Sequence, residues 1–225
     1  LSVSILCAGS WTKSERDEME KLYKGVLKFQ ESYFKRERDF FKRLSKGQDP
    51  EVLFMTCSDS RVDPQLVTQS GPGELFITRN VGNIIPPFNA LNDKNSTAAA
   101  IEYAVMVLKV TDIIVCGHSN CGAMRALLRD EKEIDGMPHL RDWLRIARPV
   151  KEHVFSVFGG ESSEVIQCYT EKENVLEQLE NIETYPFVEE AIKAGRLFLH
   201  GWYFDIGTGC MHAYVPGENR FELIK

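Results

Sequence analysis

The sequence predicts an α/β fold: a mostly parallel central β-sheet flanked by helices, with an N-terminal helical arm. Three observations predict it. Short apolar runs of strand length alternate with longer stretches of helical periodicity, the pattern of a sheet wound by crossover helices. Two of those runs, "EVLFMT" (51–56) and "DIIVC" (112–116), are short and apolar through their middles, as buried strands are. Ahead of the first of them, residues 12–45 repeat apolar side chains at three- and four-residue steps.

In the arm, Leu22, Val26, Phe29, Tyr33, Phe40 or Phe41, and Leu44 make the stripe, with Lys, Arg and Glu between them. "KGQDP" then supplies a glycine and a proline as a stop. After the strand at 51–56, Asp63-Pro64 offers an N-cap and a first-turn proline for a short helix. "ELFITRN" (74–80) reads as a second strand and "STAAAIEYAVMVLK" (96–109) as a helix leading into the strand at 112–116. Helical patterns fill much of 120–194, broken at "FGGESS". "LFLHGWYFDI" and "MHAYV" read as closing strands joined by a "GTG" turn. The organisation expected is a disordered or processed segment over 1–11, an arm over 12–45 and one α/β domain over 46–225.

At 225 residues the chain is long enough for a substantial core. Its 27 Lys+Arg against 33 Asp+Glu argue against a general nucleic-acid binder, which needs a basic excess. No apolar run approaches the roughly 20 residues of a membrane span. The opening "LSVSILCAGS" reads either as the remnant of a signal or transit segment or as a plain chain end. The six cysteines, Cys7, Cys57, Cys116, Cys121, Cys168 and Cys210, are scattered and do not form a small secreted disulfide framework.

Chemistry concentrates in two places. The first buried strand delivers Cys57 at its C-terminal end, in "TCSDSR" (56–61), and the third delivers "GHSNCG" (117–122) in the same position. Ligands of open parallel sheets bind outside such strand ends. Two thiolates and an imidazole from Cys57, His118 and Cys121 suit a tetrahedral zinc ion with one place left open, the catalytic arrangement. A nucleophilic cysteine fits less well. A phosphatase-type loop needs its arginine farther along than Arg61, and 118–121 has histidine where a thioredoxin-type pair needs its first thiol. Cys7, Cys116, Cys168 and Cys210 read as small buried hydrophobes. His139, His153, His200 and His212 read as surface or satisfied core residues.

"CSDSR" followed after a crossover by "GHSNCGA" resembles the β-class carbonic anhydrases, and "RNVGNIIPP" (79–87), "AAIEYAV" (99–105), "TYPFV" (184–188) and "HGWYFDI" (200–206) match that family in order and spacing. The similarity is greatest to its cyanobacterial and plant-like branch and runs from the arm almost to the C-terminus. It implies reversible hydration of CO2 to bicarbonate and a proton, by hydroxide held on one Zn2+ per subunit. Two thiolates neutralise the ion, so this zinc acidifies water less than an all-histidine site. Asp59 would offset that by accepting the hydroxide's hydrogen bond, and Arg61 would grip Asp59 bidentately. The resemblance also implies that Gln48 and the Gly122 N–H donate to a substrate oxygen. Phe76, Val81 and Tyr103 would line the CO2 pocket, with Phe76 and Tyr103 coming from the neighbouring subunit.

Two departures from the family stand out. Plant-type members carry histidines upstream of the zinc histidine that serve proton transfer; four residues before His118 this chain has Ile114. Bacterial members with an inhibitory bicarbonate pocket use a Trp and a Tyr where this chain has Phe54 and Phe204, while the matching Arg79 remains. Neither phenylalanine can hydrogen-bond an anion. A carbonyl sulfide or carbon disulfide hydrolase would reuse the same site, and a catalytically silent assembly subunit is a third reading. The intact Asp59, Arg61 and Gln48 speak against the last. The arm bears more apolar residues than a detached helix leaves in water, so a homodimer or higher homo-oligomer is expected. The compartment expected is cytoplasmic, carboxysomal or organellar, or periplasmic if residues 1–10 are a signal remnant.

Overall fold

The computed structural model describes residues 13–90 and 95–225; the segment 1–11 and Cys7 lie outside the described residues. The chain divides into two compact units, Leu1–Gln48 and Asp49–Lys225. In the first, α1 (Lys13–Lys28), a π-helical stretch Phe29–Tyr33, α2 (Phe34–Arg36) and α3 (Arg38–Leu44) follow one another. The helix expected over 12–45 is therefore interrupted, at Glu37, whose ψ of 25° is not helical. Beside that break Phe29, Tyr33, Phe34 and Phe41 gather into one aromatic cluster, with centroids 5.2–6.2 Å apart. Leu22, Tyr23, Val26 and Leu27 are exposed.

The described residues of the second unit form six strands: β1 (Val52–Cys57), β2 (Leu75–Asn80), β3 (Asp112–His118), β4 (Phe198–Asp205), β5 (Cys210–Val215) and β6 (Arg220–Leu223). Their order is β2-β1-β3-β4-β5-β6, parallel through β4 and antiparallel beyond. The final strand is absent from the sequence expectation, because "RFEL" is short and half charged. Asn219, with φ +50°, turns the chain into it.

Alternation along the strands sorts the core onto two faces. Leu53, Met55, Ile113 and Val115 point one way, with Ile101, Val105, Val175 and Ile182 packed on them. Phe54, Ile114, Cys116 and Phe204 point the other way, with Val62 and Val67. On that second face lies α4 (Pro64–Thr68), capped by the Asp63 carboxylate, which accepts the N–H groups of Gln65 and Leu66. Asn95 caps α5 (Ser96–Glu102), which runs on as a π-helical stretch, Tyr103–Leu108, until Lys109 turns left-handed at φ +59°. The remaining helices are α6 (Gly122–Leu128), α7 (Pro138–Leu144), α8 (Arg148–Phe158), α9 (Ser163–Glu183) and α10 (Pro186–Lys193). The "FGGESS" break falls between α8 and α9, where the Ser162 hydroxyl caps the latter.

The topology fixes where chemistry can happen. From β1 the chain moves outward to β2 and then crosses back to β3 on β1's other side. The order therefore reverses between β1 and β3, and the crevice beyond their C-terminal ends is the site such sheets offer. Register puts Thr56 opposite Cys116, so Cys57 and His118 leave neighbouring strands at nearly the same level.

Candidate metal centre

Cys57 ends β1, His118 ends β3, and Cys121 is the cap of α6 after a turn in which Asn120 is left-handed at φ +55°. One ligand atom from each lies within 4.8 Å of the others, and all three side chains are buried. The two sulfurs are 3.9 Å apart. Buried thiolates that close cannot both ionise without a cation between them. Accordingly the Cys57 thiol is pulled below its usual range by the Cys121 thiol, with help from His118 and the Gly82 N–H against the cost of burial. Cys121 is pushed up by the same neighbour and by burial.

The histidine gives an independent test. Its Nδ1 is 3.0 Å from the Ser119 carbonyl, which can only accept, so Nδ1 carries the proton in the neutral ring. Nε2 is left with a lone pair, buried, and without a hydrogen-bond partner among the described residues. Two sulfurs and one orphaned imidazole nitrogen, with the other nitrogen fixed by a carbonyl, are the donor set a soft divalent metal takes.

Asp59 stands beside the cluster, its Oδ2 3.9 Å from His118 Nε2. Arg61 donates to it twice, Nε to Oδ1 at 2.9 Å and Nη2 to Oδ2 at 2.7 Å, and the Arg61 backbone N–H reaches Oδ1 at 3.0 Å. Arg61 first of all, through these bonds, holds the Asp59 carboxyl far below the usual carboxylate range. Arg61 Nη2 also donates to the Asn120 carbonyl, tying the β1 loop to the β3 loop. Arg79 donates to the carbonyls of Cys57 and Asp59 at 3.0 and 2.6 Å. Phe54 and Phe204 are buried together in the apolar layer on the second face of the sheet.

Val81 is exposed and adjoins Gly82, whose N–H donates to Cys57 Sγ at 3.3 Å. Gly82 sits at φ +82°, and a Cβ there would come within 3.0 Å of Ala123 Cβ, so only glycine brings this N–H to the sulfur. Gly122 opens α6, with no atom within 4 Å of where its Cβ would be. Phe76 and Tyr103 touch each other, with centroids 5.8 Å apart, but not this cluster. Phe76 pairs with Leu53, four positions before Cys57 and so about 13 Å back along the strand. Gln48 belongs to the helical unit and is exposed. Cys116 is fully buried, and burial pushes its thiol up to about 12. Cys168 and Cys210 are only half-buried, and His212 departs from the expected satisfied histidine: its Nδ1 is buried without a partner among the described residues.

The frame behind the Cys57 and Cys121 loops is absent from the sequence expectation. Glu171, buried in α9, accepts the Cys121 N–H at 2.8 Å, Gln167 Nε2 at 2.9 Å and the Tyr203 hydroxyl at 2.9 Å. Asn174 Nδ2 donates to the Gly82 carbonyl, and Gln178 Oε1 accepts the Ile85 N–H. The signal was present as polar residues at 171, 174, 178 and 181, the spacing of a buried helix face.

A family model described as carbonic anhydrase matches residues 52–211. A carbonic anhydrase of Synechocystis sp. is 44% identical over 214 residues, covering 92% of this chain and 77% of the relative. The solved β-carbonic anhydrase CcaA superposes with a TM-score of 0.90 at 42% identity, over 93% of each chain. One of two β-carbonic anhydrases of Sordaria macrospora, described as tetrameric, superposes with a TM-score of 0.79 at 30% identity, over 88% of this chain and 96% of that one.

Proposed function

The chain belongs to the β-class carbonic anhydrases, and we propose that it hydrates CO2 reversibly to bicarbonate and a proton, with one zinc ion held by Cys57, His118 and Cys121. The observation that carries the proposal is the convergence of two buried thiols and an unpartnered imidazole nitrogen beside a bidentate Asp–Arg pair. Zinc in such a site acts as a Lewis acid that makes water nucleophilic near neutral pH.

The residues of this chain then do the following. Arg61 keeps Asp59 ionised and fixes its orientation, since a forked guanidinium matches both carboxylate oxygens. Asp59 accepts a hydrogen bond from the attacking water, which aims the oxygen lone pair at the carbon of CO2. Gly82 donates to Cys57 and so spreads the charge on that sulfur. Gln48 and the Gly122 N–H are assigned as donors to a substrate oxygen, and Phe76, Val81 and Tyr103 as the apolar lining. The distance of Phe76 along β2 from this chain's own cluster supports its service, with Tyr103, in a partner's pocket. The position four before His118 is the buried Ile114, so the proton leaves by water, buffer or another side chain.

Within this reading residues 12–45 are a dimerisation arm and 46–225 the catalytic domain, in a homodimer or higher homo-oligomer. The exposed Leu22, Tyr23, Val26 and Leu27 support it. Stopped-flow CO2 hydration with metal analysis tests the proposal. One zinc per chain and hydration that rises with pH are expected; a preparation without zinc, or a zinc-loaded one inactive at alkaline pH, overturns it. Light scattering tests the assembly, and a fully active monomer would refute the shared pocket.

A further inference from the structure

Behind the Cys57 and Cys121 loops, on the α9 side of the sheet, lies a cavity of about 780 Å³. It is walled by the turn Ser119–Asn120, by α6 and α9, and by β4 and β5. Its polar groups are unequally satisfied. The three carboxylates in the wall are committed. Glu171 accepts three hydrogen bonds, as described above. Asp205 accepts Ser119 Oγ, Gly207 N–H and Thr208 Oγ1. Glu164 is held below the usual carboxylate range by its own N–H and by the hydroxyls of Ser162 and Ser163.

The cationic and donor groups are not. Arg125 makes one side-chain bond, from Nε to the neutral amide of Gln167 at 3.3 Å. Lys172 Nζ rests 5.1 Å from the centroid of the Tyr203 ring, with no carboxylate partner among the described residues. The His212 ring flanks the same tyrosine, 6.4 Å between centroids, and its Nδ1 is buried without a partner among the described residues. A buried polar atom left unpaired needs a reason. Neutral donors leave the charges of Glu164, Glu171 and Asp205 in place, so what this wall offers an anion is the free donor hydrogens of Arg125 and Lys172 rather than a net positive field.

We propose that this cavity binds a small-molecule oxyanion through Arg125, Lys172 and His212. Guanidinium and ammonium supply the charge-assisted donors that phosphate or carboxylate oxygens take. The His212 imidazole stands beside them in the same wall. The volume is in the range of small-molecule sites, so the oxyanion can carry an organic body. Inorganic phosphate and bicarbonate share this chemistry and serve as probes.

Calorimetric titration of the zinc enzyme with phosphate and, separately, with bicarbonate tests the site. A binding component should appear for at least one probe and weaken about tenfold or more in Arg125→Gln/Lys172→Gln, the loss expected for one charge-assisted bond. The double variant should keep its thermal midpoint and CO2 hydration, because neither side chain bonds to Cys57, His118 or Cys121. The tighter probe tells a phosphate from a carboxylate site. Identical isotherms for wild type and variant, or no binding of either probe to wild type, overturn the proposal. Selenate-soaked crystals give a second reading that needs no variant. An anomalous peak within hydrogen-bond distance of Arg125 and Lys172 supports the site, and a peak only beside Cys57, His118 and Cys121 refutes it.

Discussion

Replacing Arg61 with lysine preserves charge and removes the fork. Asp59 now receives Nε at 2.9 Å and Nη2 at 2.7 Å from one planar group. An ammonium on a flexible stem serves one of those oxygens well and cannot serve both in the same plane. One charge-assisted hydrogen bond is therefore lost, at about 1.5–3 kcal/mol. The Arg61 side chain is 47% exposed and that of Asp59 17%, so solvent screening puts the loss at the lower end, about 1.5–2 kcal/mol. If the pair orients Asp59 for the reaction, that becomes a fall in kcat/KM of roughly 10- to 30-fold. Arg61→Ala removes both bonds and the tie to Asn120, and should fall further. The assay is stopped-flow hydration at alkaline pH on preparations matched for zinc. A lysine variant with wild-type kcat/KM at full zinc content would refute the orienting role. Stability gives a second signature. The Asp59 pKa is depressed in the fold, so the pair stabilises above the unfolded value of about 3.9 and that stability is lost as pH falls through the lower folded value. The difference between wild type and Arg61→Ala in urea should be constant near neutrality and vanish on acidification below that point.

Three further outcomes follow from the geometry. At Gly117 an added Cβ would sit 2.7 Å from Val175 Cγ2 and 3.2 Å from the Glu171 carbonyl, so Gly117→Ala should cost about 1–3 kcal/mol in urea and weaken zinc retention. Cys116 is fully buried with its thiol pushed up to about 12, whereas Cys168 and Cys210 are half-buried; mass mapping after brief iodoacetamide treatment at mildly alkaline pH should find the latter two modified and Cys116 untouched. Phe54 and Phe204 offer no hydrogen bond to an anion on the second face of the sheet, so inhibition by bicarbonate should be hyperbolic, and a sigmoidal dependence would contradict this.

The strands and the Cys57–His118–Cys121 cluster were legible because each announces itself locally. A strand buried on both faces is a short run of apolar residues, and β1 and β3 read that way from their own composition. Cys57 and His118 end those runs, and the rule that ligands gather at the C-terminal ends of parallel strands supplied the rest. Departures came where neighbours decide. Only pairing with β5 makes a strand of the charged Arg220–Leu223, and Gly82's donation to a sulfur depends on residues far away in sequence. The helical arm reads correctly as helical, but its interruption at Glu37 adjoins aromatic packing that periodicity does not register.

The polar face of α9 shows why the frame escaped notice and why it lies where it does. A helix packed on a sheet normally buries its apolar stripe, yet α9 buries Glu171, Asn174, Gln178 and Asn181 among Val175 and Ile182. Each such group costs free energy to bury unless it is bonded, about 1–3 kcal/mol when left bare. Here each is bonded, and Glu171, Asn174 and Gln178 reach the two segments that carry or adjoin Cys57 and Cys121. Glu171 takes the Cys121 N–H, Asn174 donates to the Gly82 carbonyl, and Gln178 takes the Ile85 N–H while donating to Asn174 Oδ1 at 3.0 Å; Asn181 completes the row on Gln178. The same glycine turns its N–H to Cys57. One helix face therefore sets the height of both thiols relative to each other, which strand register alone leaves loose because Cys121 lies three residues beyond the end of β3. Polar residues at core positions, a departure from the amphipathic rule, mark the support a functional site requires.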